Sequence, residues 1–388
     1  MKKTLIALSI ASMAVSSIAT AASVYSKDGY NLDIYGRVQG VVYSSNAAEL
    51  NSYNDTSLQA SGRLGFDMRT QLTQGIAGFA NMEWDVADGT MGDGGEWGVR
   101  YAWIGADFGQ YGQIKGGRFE DALKPALAAT DIFDDWGAIA QISDSDIRDG
   151  MIMYTWSGSG FDVNVSYQTA QDNQVVKGLY LGSYNSNTGS FENLEINGSD
   201  RYETVDIDHG YAASVGYTSA PVLFGPIAVT AGYSFIQTQA KEVSFLAKNG
   251  VDLDKVHSYA FSASWGDLAN GPYVAALYNE RNFSAVAGDV EDVKASGFET
   301  VAAYAFSNGI TLATGFNHLK FDDGTTTVKA QTIPVYANYQ INPRFNVWGE
   351  ARFDAGTDDN VKSAKSFYAL TGADFEESVF SLGARYTF

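Results

Sequence analysis

The carboxy-terminal stretch Phe380-Ser381-Leu382-Gly383-Ala384-Arg385-Tyr386-Thr387-Phe388 decides the fold. Phe380, Leu382, Ala384, Tyr386 and Phe388 form one face, and Ser381, Gly383, Arg385 and Thr387 form the other. A period of two marks a β-strand with one apolar and one polar face. The same alternation runs through Phe161-Val163-Val165-Tyr167, Tyr211-Ala213-Val215-Tyr217, Ile227-Val229-Ala231-Tyr233-Phe235 and Tyr259-Phe261-Ala263-Trp265. It recurs at Ile310-Leu312-Thr314-Phe316 and Phe345-Val347-Gly349-Ala351-Phe353. No convincing helix of three turns breaks this rhythm beyond the amino terminus.

The connections sort by length. Short ones fall near 73–75, 109–112, 157–160, 219–225, 266–272, 306–309 and 340–344. Mostly longer ones fall near 44–57, 86–97, 119–147, 169–209, 237–256, 282–296, 320–327 and 355–374. They alternate strictly, long then short, and together join sixteen strands. A soluble sandwich has no reason to gather its long loops at one end. A membrane barrel with an even strand number, short inner turns and long outer loops does. The expected fold is therefore all-β: a sixteen-stranded antiparallel transmembrane β-barrel.

Composition agrees. The chain has 388 residues, no cysteine, and 45 acids against 25 bases, for a formal net charge of −20. That balance argues against nucleic acid as a partner, because phosphate binding needs a basic face. Without cysteine there are no disulfides, thiolate nucleophiles or cysteine metal sites. Lys2 and Lys3, the apolar run Thr4 to Val15, and Ala19-Thr20-Ala21 read as a signal peptide over residues 1–21. The barrel domain is then residues 22–388. After residue 21 nothing approaches the ~18 consecutive apolar residues of a spanning helix, so an exported chain that spans a membrane must do so as a closed sheet.

The two faces carry further information. Tyr167, Tyr217, Tyr233, Tyr259, Trp265, Tyr339 and Tyr386 cluster near strand ends, where aromatic rings suit a lipid–water boundary. Arg63, Asp67, Arg69 and Gln71 share one inward face, and Asn346, Glu350, Arg352 and Asp354 share another. Such faces suit a water-filled lumen, and sixteen strands are wide enough for one. Arg37, Arg63 and Arg100 sit mid-strand with inward parity, opposite outward neighbours such as Val38, Leu64 and Tyr101. An arginine facing lipid near the midplane would cost roughly 2–4 kcal/mol.

The ends and the third long loop resemble the general porins of the Gram-negative outer membrane. The resemblance rests on several stretches in order: Val24 to Gly29, Leu32 to Arg37, Gly62-Arg63-Leu64-Gly65-Phe66, Met82-Glu83-Trp84 and Arg100 to Gly105. It continues through Gly117-Arg118, Asp121-Ala122-Leu123, Thr130-Asp131 and Asp135-Trp136-Gly137 to the terminal Arg385-Tyr386-Thr387-Phe388. It implies a homotrimer of passive diffusion channels for small hydrophilic solutes and ions, in contact with outer-membrane lipid and lipopolysaccharide and needing no cofactor. It also implies that the third loop, 119–149, folds inward to face a ladder of arginines. Arg37, Arg63 and Arg100 fall on that ladder, with Arg118 and Arg148 as further constriction bases. Glu83, Asp131, Asp134 and Asp135 are the constriction acids. Arg148 shares parity with Ile152, Tyr154 and Trp156, so a place in the loop rather than on the wall stays open. The arginines can also brace the loop through ion pairs. Tyr386 and Phe388 match the signal read by the barrel-assembly machinery.

Other chemistry is sparse. Asp206, Asp208 and His209 offer an acid–histidine pair, which more often is a solvated loop. Asp144, Asp146, Asp149 and Gly150 have the wrong spacing for a calcium loop, and the glycines at 89–95 lack the strand and helix of a phosphate loop. No metal or catalytic site is expected. Two alternatives remain: a substrate-selective channel, for which the inward faces lack a run of aromatics, and a hydrolase or adhesin anchored by the barrel. The third loop holds eight acids and two bases between Phe119 and Asp149, so a cation-preferring pore is expected. Amino-terminal sequencing of the exported protein should begin at Ala22; an intact Met1 would refute the signal assignment.

Overall fold

The computed structural model describes residues 22–44, 57–88, 97–142, 147–176, 183–185, 190–192, 204–239, 253–285, 293–322, 327–358 and 378–388. The expected signal segment, 1–21, lies outside them. Sixteen strands form the wall. The first eight are β1 Tyr30–Tyr43, β2 Ser57–Thr73, β3 Ile76–Asp88, β4 Gly98–Asp107, β5 Gln113–Phe119, β6 Arg148–Gly158, β7 Phe161–Gln168 and β8 Thr204–Thr218. The rest are β9 Ile227–Thr238, β10 Leu253–Gly266, β11 Gly271–Ala285, β12 Val293–Ala305, β13 Ile310–Asp322, β14 Thr327–Asn342, β15 Phe345–Asp354 and β16 Val379–Thr387. Each pairs antiparallel with its neighbours in sequence, and β16 pairs back onto β1 from Arg37↔Thr387 to Tyr43↔Ser381. The connections fall where the alternation places them.

The segment from Ala22 and the carboxy-terminal residues build the closing seam. Strand Ala22–Lys27 pairs with the lower half of β1, from Ala22↔Ile34 to Lys27↔Tyr30, in line with β16 above it. Between the two, Gly36 and Phe388 exchange both backbone hydrogen bonds, each 3.0 Å. A Cβ at Gly36 would meet the Phe388 ring at 2.8 Å and also the Arg63 carbonyl. Glycine is therefore needed there for close approach.

The outward faces meet an apolar medium. Val38, Ile104 and Leu382 are 58%, 71% and 66% exposed, which aliphatic groups tolerate against lipid but not in bulk water. Aromatic pairs mark both rims. Tyr211 stacks on Phe235 at 4.9 Å and Tyr233 on Tyr259 at 6.0 Å near the outer rim. Phe161 meets Tyr217 at 4.9 Å and Phe224 stacks on Trp265 at 4.0 Å near the inner rim.

The inward faces are less uniformly polar than the sequence suggests. Over the outer half of β8–β14, Ile207, Ile236, Val256, Phe283, Leu319 and Phe321 form a dry cluster with Ala140 and Ile142 of the third loop. Alternation reports which face a residue occupies, not whether that face is wet.

Replacing Gly36 with valine should overpack the seam and cost about 1–3 kcal/mol. The temperature at which unheated protein loses its folded gel mobility should fall. An unchanged transition would refute this account of the closure.

Candidate functional site: the loop-lined constriction

The wall side of the constriction is built where regular pairing breaks. β-Bulges place an extra residue on one strand and re-aim side chains. One lies where Gly62 pairs with Ala87 and Arg63 with Asp85, so Val86 of β3 is the extra residue. Another lies between Glu83 and Trp84 on β3, where Glu83 pairs with Tyr101 and Trp84 with Val99, so Arg100 is the extra residue. Arg63 Nε donates to Asp85 Oδ1 at 2.8 Å, and Arg100 Nε donates to Glu83 Oε1 at 2.7 Å. The second bulge also turns Tyr101 inward: its hydroxyl donates to Glu120 at 2.6 Å. Strict alternation placed Tyr101 on the lipid side, and the bulge overturns that. Arg37 stands directly opposite Arg63 on β1.

The third loop runs inside the barrel, held to the wall along its length. Asp121 anchors its start, accepting from Ser234 Oγ at 2.7 Å and pairing with Arg148 at 3.1 Å. Leu123, Ala126 and Leu127 are buried against Ala260 and Leu277. Two wall carboxylates then act as pegs. Glu299 accepts from Thr130 Oγ1 at 2.5 Å, the Ala140 amide at 2.9 Å and Gln141 Nε2 at 3.2 Å. Glu350 accepts the backbone amides of Asp134, Asp135 and Trp136 at 3.0, 2.9 and 2.6 Å. Gly297 lets the loop come this close, because a Cβ there would overlap the Ala140 carbonyl.

The loop acids differ in their settings. Asp135 accepts from Tyr43 at 3.1 Å, Trp348 at 2.9 Å and Ser381 at 2.5 Å. Burial pushes its carboxyl above the usual aspartate range, while those donors favour the charged form. Asp134 pairs with Arg385 at 2.7 Å and accepts from Tyr336 at 2.6 Å. Asp131 lies 3.9 Å from Lys124.

Two expected constriction bases are placed elsewhere. Arg148 is 2% exposed, bound to Asp121 and Gln168 at the root of the loop. It is a buried brace and does not reach the lumen. Arg118 stands opposite Ala102, on the face shared by Ile104 and Ile114. It binds Asp149 at 2.9 Å and the Val99 carbonyl at 3.2 Å. Unbroken alternation along Gln113–Phe119 puts it on that outward face. Conversely, Arg385 of β16 joins the wall arginines, its Nε donating to Gln39 at 2.8 Å. Its inward parity was visible in the sequence. The three histidines stand on the outward face near the outer rim: His209 beside Asp208, His257 beside Tyr233 and His318 beside Gln331.

A family model described as Gram-negative porin matches residues 7–361. Outer membrane protein S2 of Salmonella typhi is 26% identical over the full length of both chains. Porin-like protein L of Photobacterium profundum is 28% identical, also over both full lengths. Among solved structures, Salmonella typhi OmpF in complex with daunomycin superposes with a TM-score of 0.68 at 21% identity, covering 94% of this chain and 99% of that one. The trimer form of OmpT from Vibrio cholerae gives 0.64 at 13% identity, covering 93% of this chain and all of the other. At these identities the superpositions speak for the fold.

Each of the Glu350 hydrogen bonds contributes about 0.5–1.5 kcal/mol. Glu350→Ala should therefore speed exchange of the 134–136 amides by about tenfold or more, read by hydrogen exchange of the intact barrel. Unchanged protection would show that Glu350 does not hold the loop.

Proposed function

The chain belongs to the Gram-negative porin family and is an integral outer-membrane channel; on that premise we propose that it passes small hydrophilic solutes and ions by passive diffusion, as a homotrimer, with preference for cations. The carrying observation is the charge asymmetry across the constriction. Asp135, Glu299 and Glu350, on the loop side, are held by hydroxyl, indole, amide and backbone donors. None of those donors is a cation, and the third loop as a whole carries eight acids against two bases between Phe119 and Asp149. On the wall, Arg63 and Arg100 each hold a wall carboxylate and Arg385 holds Asp134 of the loop, all within 2.8 Å. Arg37 adds one further base beside Arg63, which the loop's excess of acids outweighs, and a narrow cleft with low-dielectric walls focuses that field. Salt screens exposed charges beyond about 8 Å at physiological strength, so the preference weakens as salt rises. The field between loop and wall orients dipolar solutes and slows apolar ones.

The homotrimer reading rests on the outer surface. Among the described residues, the most exposed aliphatic side chains of the sixteen strands are Leu58, Ile104, Leu382, Leu72 and Val38. All lie on β16, β1, β2 and β4, within one sector of the wall suited to a second copy. The trimer form of the Vibrio cholerae protein supports this reading. The remaining outward surface meets lipid and lipopolysaccharide. Tyr386 and Phe388 present the end of β16 to the assembly machinery. The channel needs no cofactor and catalyses no reaction.

In a planar bilayer under a potassium chloride gradient, the reversal potential should show cation preference. Asp131→Asn should lower it and Arg63→Ser should raise it. Anion preference in the unmodified protein would overturn the charge argument, and a complete lack of conductance would overturn the channel itself. Asp135→Asn should also lower the preference, but it alters a wall anchor as well as a charge. A monomer only, in mass measurement of unheated detergent-solubilised protein, would remove the trimer.

A further inference from the structure

Tyr35, Phe79 and Trp103 face the lumen between the constriction and the short inner turns. They lie on β1, β3 and β4, so no run of aromatics shows along any one strand; pairing brings them together. Tyr35 and Phe79 each cover the bare backbone of the glycine they pair with, Gly65 and Gly105. A Cβ at Gly105 would lie 2.6 Å from two Phe79 ring carbons, and one at Gly65 would overlap the Tyr35 ring. Glycine inside a strand marks such a close approach. Each ring thus lies down on the wall with its other face toward the lumen. Trp103 stands against Phe79, ring centres 5.5 Å apart and planes at 78°, with Lys115 Nζ 4.9 Å from its own ring centre. All three rings are partly exposed. Asn81 ties the group together. It pairs with Trp103 across the strands, and its amide donates to the Tyr35 hydroxyl at 2.9 Å and to Asp67 Oδ1 at 2.6 Å. Asp33 stands directly opposite Asp67. Arg69 stands directly opposite Phe79 and binds Asp107 at 2.5 Å. Asp67 and Arg69 are exposed to the lumen.

We propose that Phe79, Trp103 and Tyr35, with Asp33, Asp67 and Arg69 at their edge, form a subsite for the ring of a neutral sugar on the inner side of the constriction. This rests on the channel reading above. Aromatic faces held against water gain by covering themselves with an apolar surface, and a few polar groups at the edge fix what is bound. A sugar ring matches both features. Its C–H bonds, slightly positive, meet the negative faces of the aromatic rings. Its hydroxyls donate to the carboxylates of Asp33 and Asp67 and accept from the guanidinium of Arg69. A flat aromatic solute would stack on the same rings but bring no donors to the two carboxylates, leaving their lost hydration uncompensated. An anionic sugar would meet two acids and an arginine already neutralised by Asp107.

The test uses maltotriose as the probe and purified full-length protein in a planar bilayer at fixed potassium chloride. Single-channel conductance should fall and saturate as maltotriose rises. Polyethylene glycol of similar size has no ring to stack and should lower conductance without saturating. In Phe79→Ala the half-saturating maltotriose concentration should rise by about fivefold or more. Phe79→Leu keeps bulk over Gly105 but loses the ring face; it should also raise that concentration and serves alone if the alanine variant does not assemble. Ser264→Ala, far around the wall on β10, should leave it unchanged. A conducting unmodified protein without saturable maltotriose response would overturn the subsite, as would equal saturation by polyethylene glycol or a response unaltered by the Phe79 variants. An unmodified protein that does not conduct would instead overturn the channel reading.

Discussion

Inside a hydrocarbon layer no water is available to pair with a backbone amide or carbonyl, and each one left open costs several kcal/mol. The rest of this structure follows from that requirement. It forces the sheet to close, β16 onto β1. Closure fixes two faces for every strand. The outer face must be apolar, so the ionisable groups needed for a water path have only the inside to occupy. Where regular alternation would aim a side chain wrongly, a bulge breaks it, as at Arg100.

The third loop satisfies the same requirement by other means. Its segments have no strand partner, so wall side chains take the place of a ladder. Ser166 accepts the Ala122 amide, Glu299 the Ala140 amide, and Glu350 three amides in succession. The apolar cluster around Ile142 and Phe283 adds a dry support on the same side. The loop is thus folded onto the wall as a second layer. The open path is left against β1–β4, where Arg37, Arg63 and Arg100 stand.

Much of this was legible in the sequence because period two is a strong local signal. The strands, the alternation of connection lengths and the inward parity of Arg37 and Arg63 all come from it. What was not legible depends on contacts between distant parts of the chain. Tyr101 turned inward because of a bulge that no residue type announces. Arg148 joined Asp121 at the root of the loop, whereas the outward face of Arg118 follows from plain alternation with Ile114 and Gly116. Glu299 and Glu350 are ordinary alternating polar residues until the loop reaches them. Arg385 looked like part of a terminal motif, yet its guanidinium belongs to the constriction.

The shared seam has a topological consequence. Strand Ala22–Lys27 takes up beside β1 where β16 leaves off, one above the other on the same stave. Residues 22–388 therefore trace a near-ring whose opening lies at that point. The opening could lie in any of the outer connections without changing a single ladder partner, given a short link between the present ends. Chain order and barrel architecture are in this sense separable. The present ends do impose a sequence in time: the first strand of the wall lacks one neighbour until the last residues of the chain arrive.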